Sequence, residues 1–165
     1  MDRYASGLIH FEQGMTELGD GRVLAVAWVF DEKTGRSLPN HYALSDGAVR
    51  RFSEPRTFGL HGETAKIACL RDGRVLLVCR RVDRSGLWAL LIRIRGEEWQ
   101  TLEEAPLWQG AASGMHGERA AAQELSDLRF GFPSMVELDD GEVFLVFWCQ
   151  EDCINNVRWM RLEVR

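Results

Sequence analysis

Glu63 and Arg80 are charged where the equivalent positions of an internal repeat are apolar or small. Three stretches align on a leucine two residues ahead of an Asp-Gly pair, at Leu18, Leu70 and Leu138. Seven residues before these leucines stand Phe11, Glu63 and Gly131, and eight after the turn aspartates stand Trp28, Arg80 and Trp148. Nine residues before them stand Ile9, His61 and Arg129. The start of one strand of a hairpin lies beside the far end of the next, so these sets are expected to line one rim. A planar guanidinium meets a carboxylate through paired hydrogen bonds, whether the carboxylate belongs to a ligand or to the protein. Arg80 is therefore a candidate ligand-binding residue, and a structural pairing with Glu63 or with a carboxylate of the outer rim would use the same chemistry. Arg129 is a further candidate on a loop, where arginines are mostly solvated. His10, His41, His61 and His116 show no metal-ligand spacing, and Cys149 and Cys153 lack the doubled motif of a zinc site. No cofactor is expected. Cys69, Cys79, Cys149 and Cys153 read as reduced, partly buried thiols, as in a cytoplasmic protein. A two-residue turn at Asp72-Gly73 would set Cys69 opposite Leu76 and Cys79 opposite Lys66.

The elements that must position these residues follow from the repeat. Met15–Val26, Ile67–Val78 and Met135–Val146 each carry Asp-Gly between two apolar, β-branched runs. That is the strongest short hairpin signal, expected as a type I′ turn with both central residues at positive φ. The leucines are 52 and 68 residues apart. A four-stranded propeller blade takes about 40–50 residues, so the second interval holds a blade and an insertion. Further strands are expected at His41–Leu44 and Val49–Phe52, at Leu87–Ile94 and Trp99–Leu102, and at Asn156–Val164. The strand after each turn is apolar on both faces, as required where both faces of a sheet are covered. The expected fold is all-β: about three antiparallel blades of a propeller, at about 8–60, 61–110 and 129–165. The insertion, about 110–128, includes a possible short helix at Glu118–Leu125. A β-sandwich would show cleaner alternation with one polar face.

The sequence also resembles the sialidase superfamily of six-bladed propellers with Asp-box (BNR) repeats. Ser45 stands seven residues before Phe52, the motif's serine-to-aromatic spacing, with Asp46 and Gly47 displaced. Ile92–Trp99 keeps a glycine and a tryptophan. His41–Ser45 through Glu54-Pro55 to Gly62–Ala65, and Gly131–Ser134 leading into Asp139–Gly141, look like bacterial members. The resemblance covers nearly the whole chain and about half of such a domain, its C-terminal half. It implies an exo-acting hydrolase of sialic acid or a related acidic sugar, with three arginines on the sugar carboxylate and a tyrosine nucleophile activated by a glutamate. Arg80 falls where one of those arginines follows its turn, and Glu63 falls within one residue of the family glutamate. Neither Tyr4 nor Tyr42 stands at the nucleophile position, and Phe130 and Phe132 nearby have no hydroxyl. The acid/base aspartate and the first arginine belong to blades outside this chain. The implied protein is thus a catalytically incomplete half-propeller, or a carbohydrate- or protein-binding propeller without activity, or a half-propeller that assembles with itself.

Composition narrows the partners. A formal charge of −5 argues against a general nucleic-acid surface. No apolar run reaches the length of a spanning helix, and Met1–Gly7 has no apolar core of a signal peptide. The terminal blades carry apolar residues such as Phe144, Val146 and Trp148 that would ordinarily meet another blade. Leaving them in water costs about 1.5–3 kcal/mol each. A homo-oligomer, most simply a dimer through the end blades, or a longer polypeptide is expected.

Overall fold

A computed structural model describes residues 7–110 and 127–165. The expected helix at Glu118–Leu125, and most of the insertion around it, lie outside the described residues. The described residues form eleven strands in three antiparallel sheets and no helix. The first sheet holds β1 (Leu8–Glu17), β2 (Val23–Asp31), β3 (Arg36–Leu44) and the short β4 (Arg56–Thr57) in sequence order. The second holds β5 (Gly62–Cys69), β6 (Val75–Arg81), β7 (Leu87–Arg95) and β8 (Glu98–Trp108), again in order. The third holds β9 (Phe130–Glu137), β10 (Val143–Glu151) and β11 (Ile154–Leu162). The first strands of successive sheets, β1, β5 and β9, touch one another, while the later strands fan outward. This is the arrangement of propeller blades around an axis, and the chain is three blades of a β-propeller.

The repeated Asp-Gly pairs make the three hairpins, with a different turn from the one expected. Leu18, Leu70 and Leu138 donate their N–H to the carbonyls of Arg22, Arg74 and Glu142 at 2.7–2.8 Å, which closes a three-residue loop. Only the glycines, Gly21, Gly73 and Gly141, have positive φ, at 81–86°. The loop is a type I turn followed by a left-handed glycine, in place of type I′. Each turn aspartate accepts the backbone N–H two residues on, at Arg22, Arg74 and Glu142, and this holds the type I geometry. The extra residue shifts the register by one, so Cys69 faces Val75 and Lys66 faces Val78, while Cys79 faces Trp88 on β7. All four cysteines are free thiols. Val49–Phe52 is not the fourth strand of blade 1. Val49 has a φ of 53°, Phe52 makes only an isolated bridge to Ser45, and the fourth strand is Arg56–Thr57.

The core lies between blades, in two layers. Leu24, Val26, Tyr42 and Leu44 of blade 1 pack on Val75, Leu77, Leu90 and Ile92 of blade 2. Leu76, Val78, Leu87 and Leu91 from the opposite face of blade 2 pack on Phe130, Val143, Leu145 and Phe147 of blade 3. Strand β6 serves both layers and is buried at every position, which accounts for its unbroken apolar run.

Candidate functional site

The axial strands share one irregularity. Each carries a bulge six residues before its repeat leucine, and there Glu12, Thr64 and Phe132 take left-handed φ values of 48°, 51° and 51°. Non-glycine residues in this region are strained, a β-branched threonine most of all, and bulges of this kind re-aim side chains at functional rims. The surrounding contacts hold the strain in place. Glu12 Oε2 accepts the Thr64 N–H at 2.8 Å, from blade 1 to blade 2. Thr64 Oγ1 is buried and has no hydrogen-bond partner.

One residue ahead of each bulge stands a cross-strand pair, and the three pairs are those set by the repeat: Phe11 with Trp28, Glu63 with Arg80, and Gly131 with Trp148. In blade 1 the pair is aromatic, with ring centroids 5.1 Å apart. In blade 2 it is ionic. Glu63 Oε2 accepts from Arg80 Nε at 3.0 Å and from Nη2 at 2.7 Å. Arg80 Nη1 donates at 2.9 Å to the Phe130 carbonyl of blade 3. Glu63 is 0% exposed and Arg80 3%, so the pair lies inside the joint between blades. Gly131 completes the arrangement, because a Cβ at that position would stand 2.6 Å from Arg80 Nη1. The third candidate, Arg129, is half-buried just before β9, with Nη1 on the Leu128 carbonyl at 3.2 Å. The structure brings Glu63 and Arg80 together and sets Arg129 one residue from the carbonyl that Arg80 holds.

An open surface adjoins this joint. Lys66 and Ile67 of β5 and Phe132–Met135 of β9 line a shallow groove of about 310 Å³ between two axial strands. Phe132 is 60% exposed although aromatic, and Lys66 Nζ lies 5.3 Å from its ring centre. The sequence showed Phe132 only as an aromatic without a hydroxyl. Its place in the repeat, one residue after the Gly131–Trp148 pair, is the signal that would have found it and Glu12.

Other ionisable groups are accounted for locally. His10 Nε2 and His41 Nδ1 are 3.2 Å apart, and burial, then the neighbouring His10, holds the His41 imidazole below its ordinary pKa. Burial pushes the Cys79 thiol up to about 12, so it is no nucleophile. Tyr42 is buried and donates to the Glu97 carbonyl, while Tyr4 lies outside the described residues. Among the described residues no group of three or more His, Cys, Asp or Glu could hold a metal ion, and no helix is long and apolar enough to cross a membrane.

No protein-family model matches the sequence, and no curated protein matches it. Solved structures do match. A protein of unknown function from Dyadobacter fermentans superposes with a TM-score of 0.69 at 20% identity, over 96% of this chain and 39% of that one. A mannose phosphorylase from Leishmania mexicana gives 0.55 at 12% identity, over 97% of this chain and 45% of that one. A member of the GH130 family of mannoside phosphorylases, described as containing glycoside hydrolases that target β-1,2 mannosidic linkages in Candida mannan, gives 0.50 at 15% identity, over 93% and 48%. The chain thus spans less than half the length of each of these structures. These neighbours overturn the sialidase resemblance, because the two whose activity is named are mannoside-acting propellers and none is an Asp-box sialidase. The Ser45–Phe52 and Ile92–Trp99 spacings belong to ordinary turns between the third and fourth strands of a blade, which any propeller needs. The tyrosine mechanism, the arginine clamp and the six-blade count implied by that resemblance fall with it. At these identities what is shared is the fold: this chain holds three blades of a β-propeller.

Proposed function

We propose that this chain is the carbohydrate-recognising segment of a glycosidase-type propeller, that it takes a neutral mannoside in the groove between β5 and β9, and that it performs no hydrolysis by itself. The observation that carries this reading is Phe132, an aromatic ring held 60% in solvent by a strained, left-handed backbone beside the axis. Sugar sites combine an apolar face with a few placed polar groups. Phe132 offers the face, and Lys66 and Ser134 offer the polar groups. The mannoside class is taken from the activities named for two of the neighbours.

Glu63 and Arg80 support the site from behind. A carboxylate that is fully buried and holds two guanidinium donors is not available to a sugar, so Glu63 is read as a positioning residue and Arg80 as the clamp that fixes β9. Arg129 extends the same rim. Titration of the chain with β-1,2-linked mannobiose, followed by NMR, tests the reading. Binding is expected, with Phe132→Ala weakening it at least about tenfold, equivalent to about 1.4 kcal/mol. Phe52→Ala, at an exposed ring on the β3–β4 turn, is expected to leave it unchanged. No binding at millimolar sugar, or equal binding by Phe132→Ala, would overturn the proposal.

A further inference from the structure

The first strand of each blade is an edge of its sheet, and that edge faces the axis. Along such a strand, residues bonded to the neighbouring strand alternate with residues whose N–H and C=O both point away from it. On β5 the hydrogen bonds fix which residues are which. Leu70 donates to the Arg74 carbonyl at 2.7 Å within the hairpin. Ala68, two residues back and opposite Leu76, is therefore bonded to β6 as well, and Ile67 and Cys69 turn their main-chain groups to the axis. Cys69 bears this out, because its N–H goes across to the Thr16 hydroxyl of β1 at 3.0 Å.

Side chains of the flanking blades cap this edge at three places. Glu12 of blade 1 accepts the Thr64 N–H at 2.8 Å, Thr16 accepts that of Cys69, and Glu137 of blade 3 accepts that of Arg71 at 2.9 Å. Ile67 lies between the capped residues without such a cap among the described residues. It is also the residue that, with Lys66, lines the groove opposite Phe132–Met135. A bare donor and acceptor on a sheet edge form a ready template for a hydrogen-bonding partner. That partner is not an added strand, because the caps at Thr64 and Cys69 leave a single residue free between them. The groove volume of about 310 Å³ suits a small ligand instead.

We infer that Ile67 holds the sugar through its main chain: its N–H donates to one hydroxyl oxygen, its C=O accepts from the adjacent hydroxyl, and Phe132 covers the ring face. The inference rests on the sugar reading above and names the residue that orients the ring. A residue turned away from its sheet presents donor and acceptor side by side. Two adjacent hydroxyls match that pair, since each hydroxyl both donates and accepts. Main-chain groups fixed in a sheet are in place before the ligand arrives, so little ordering is needed on binding. Lys66 and Ser134 are left to meet the remaining hydroxyls. Selectivity follows, because a ring lacking either hydroxyl of the pair would leave the N–H or the C=O unmet in a filled groove.

Amide exchange followed by NMR, with and without β-1,2-linked mannobiose, tests it. The Ile67 amide is expected to exchange about tenfold more slowly at saturating sugar, while the Cys69 amide, already held by Thr16, keeps its rate. Ile67→Pro removes the N–H from a position that gives nothing to the β6 ladder, where a sheet edge tolerates proline. This variant is expected to bind about five- to tenfold more weakly, with the β6 amide spectrum unchanged. Sugar that binds and is weakened by Phe132→Ala, yet leaves Ile67 exchange unaltered, would overturn this inference and spare the sugar reading. Equal binding by a folded Ile67→Pro would do the same. No binding at millimolar sugar would overturn both. Should Ile67→Pro fail to fold, the exchange rates of the unsubstituted chain still decide.

Discussion

Strands β6 and β10 are the second strands of adjacent blades and open on closely similar apolar runs, Val75–Val78 and Val143–Val146, yet their surroundings differ. Strand β6 is buried at all seven positions, whereas β10 alternates between buried and half-buried side chains. Blade 2 has a neighbour on each side and blade 3 on one. The apolar run of β10 is thus written for a second neighbour, since a strand with one solvated face would ordinarily alternate apolar with polar. The difference separates two kinds of residue: those that hold the three blades together, and those that have work only when another surface arrives.

Breaking the covered blade should have the largest effect. Glu63→Gln removes the carboxylate from a guanidinium that is 3% exposed, and a buried charge left without its partner costs about 3–5 kcal/mol. The urea unfolding midpoint should fall accordingly. Leu77→Ala, at a fully buried position in the first joint, is expected to cost about 2–5 kcal/mol through lost burial and a cavity. Gly131→Ala would drive a methyl into Arg80 Nη1, and overpacking of this kind costs about 1–3 kcal/mol. A thermal melt should show the loss, and a crystal structure should show Arg80 displaced from the Phe130 carbonyl.

Open-face substitutions should do far less to folding. Val157→Ala on β11 removes a side chain that is 75% exposed, so the unfolding free energy should change by no more than about 0.5 kcal/mol. The smallest expected effect lies at the hairpin turns. The Arg22 side chain beside Asp20 holds that carboxyl below its ordinary value of 3.8, and the Glu142 N–H does the same for Asp140. Groups lowered in the folded state stabilise it at pH above their unfolded value, and this is lost as pH falls through the folded value. Urea titrations carried from neutral pH down through the carboxylate range should therefore lose a small increment in the chain that Asp20→Asn lacks.

The hairpins, the blade pattern and the facing of Phe11 with Trp28 and Glu63 with Arg80 were legible in the sequence, because a strand's two-residue period turns an aligned leucine into a register. The turn type was not. Asp-Gly suits type I′ as well as a type I turn with a left-handed glycine, and the choice rests on whether the aspartate side chain caps the N–H two residues on. The axial bulges were marked only by their shared place in the repeat, since Glu12, Thr64 and Phe132 share no residue type that announces a left-handed backbone. The sialidase reading failed because turn residues and aromatic spacing are demanded by blade geometry itself and do not distinguish one propeller family from another. The partial cover of β10 was legible too, since Phe144, Val146 and Trp148 form an apolar face with no blade after it among the described residues, and all three are only half-buried.

Hydrogen exchange across the three blades tests most directly whether the covered blade holds the fold together. Amides of β2, β6 and β10 would be followed in the unsubstituted chain and in Glu63→Gln. The account predicts the strongest protection for β6, which is buried at every position, and a loss of that protection in the variant. Protection of β6 no greater than that of β2 and β10, or unchanged in Glu63→Gln, would contradict it.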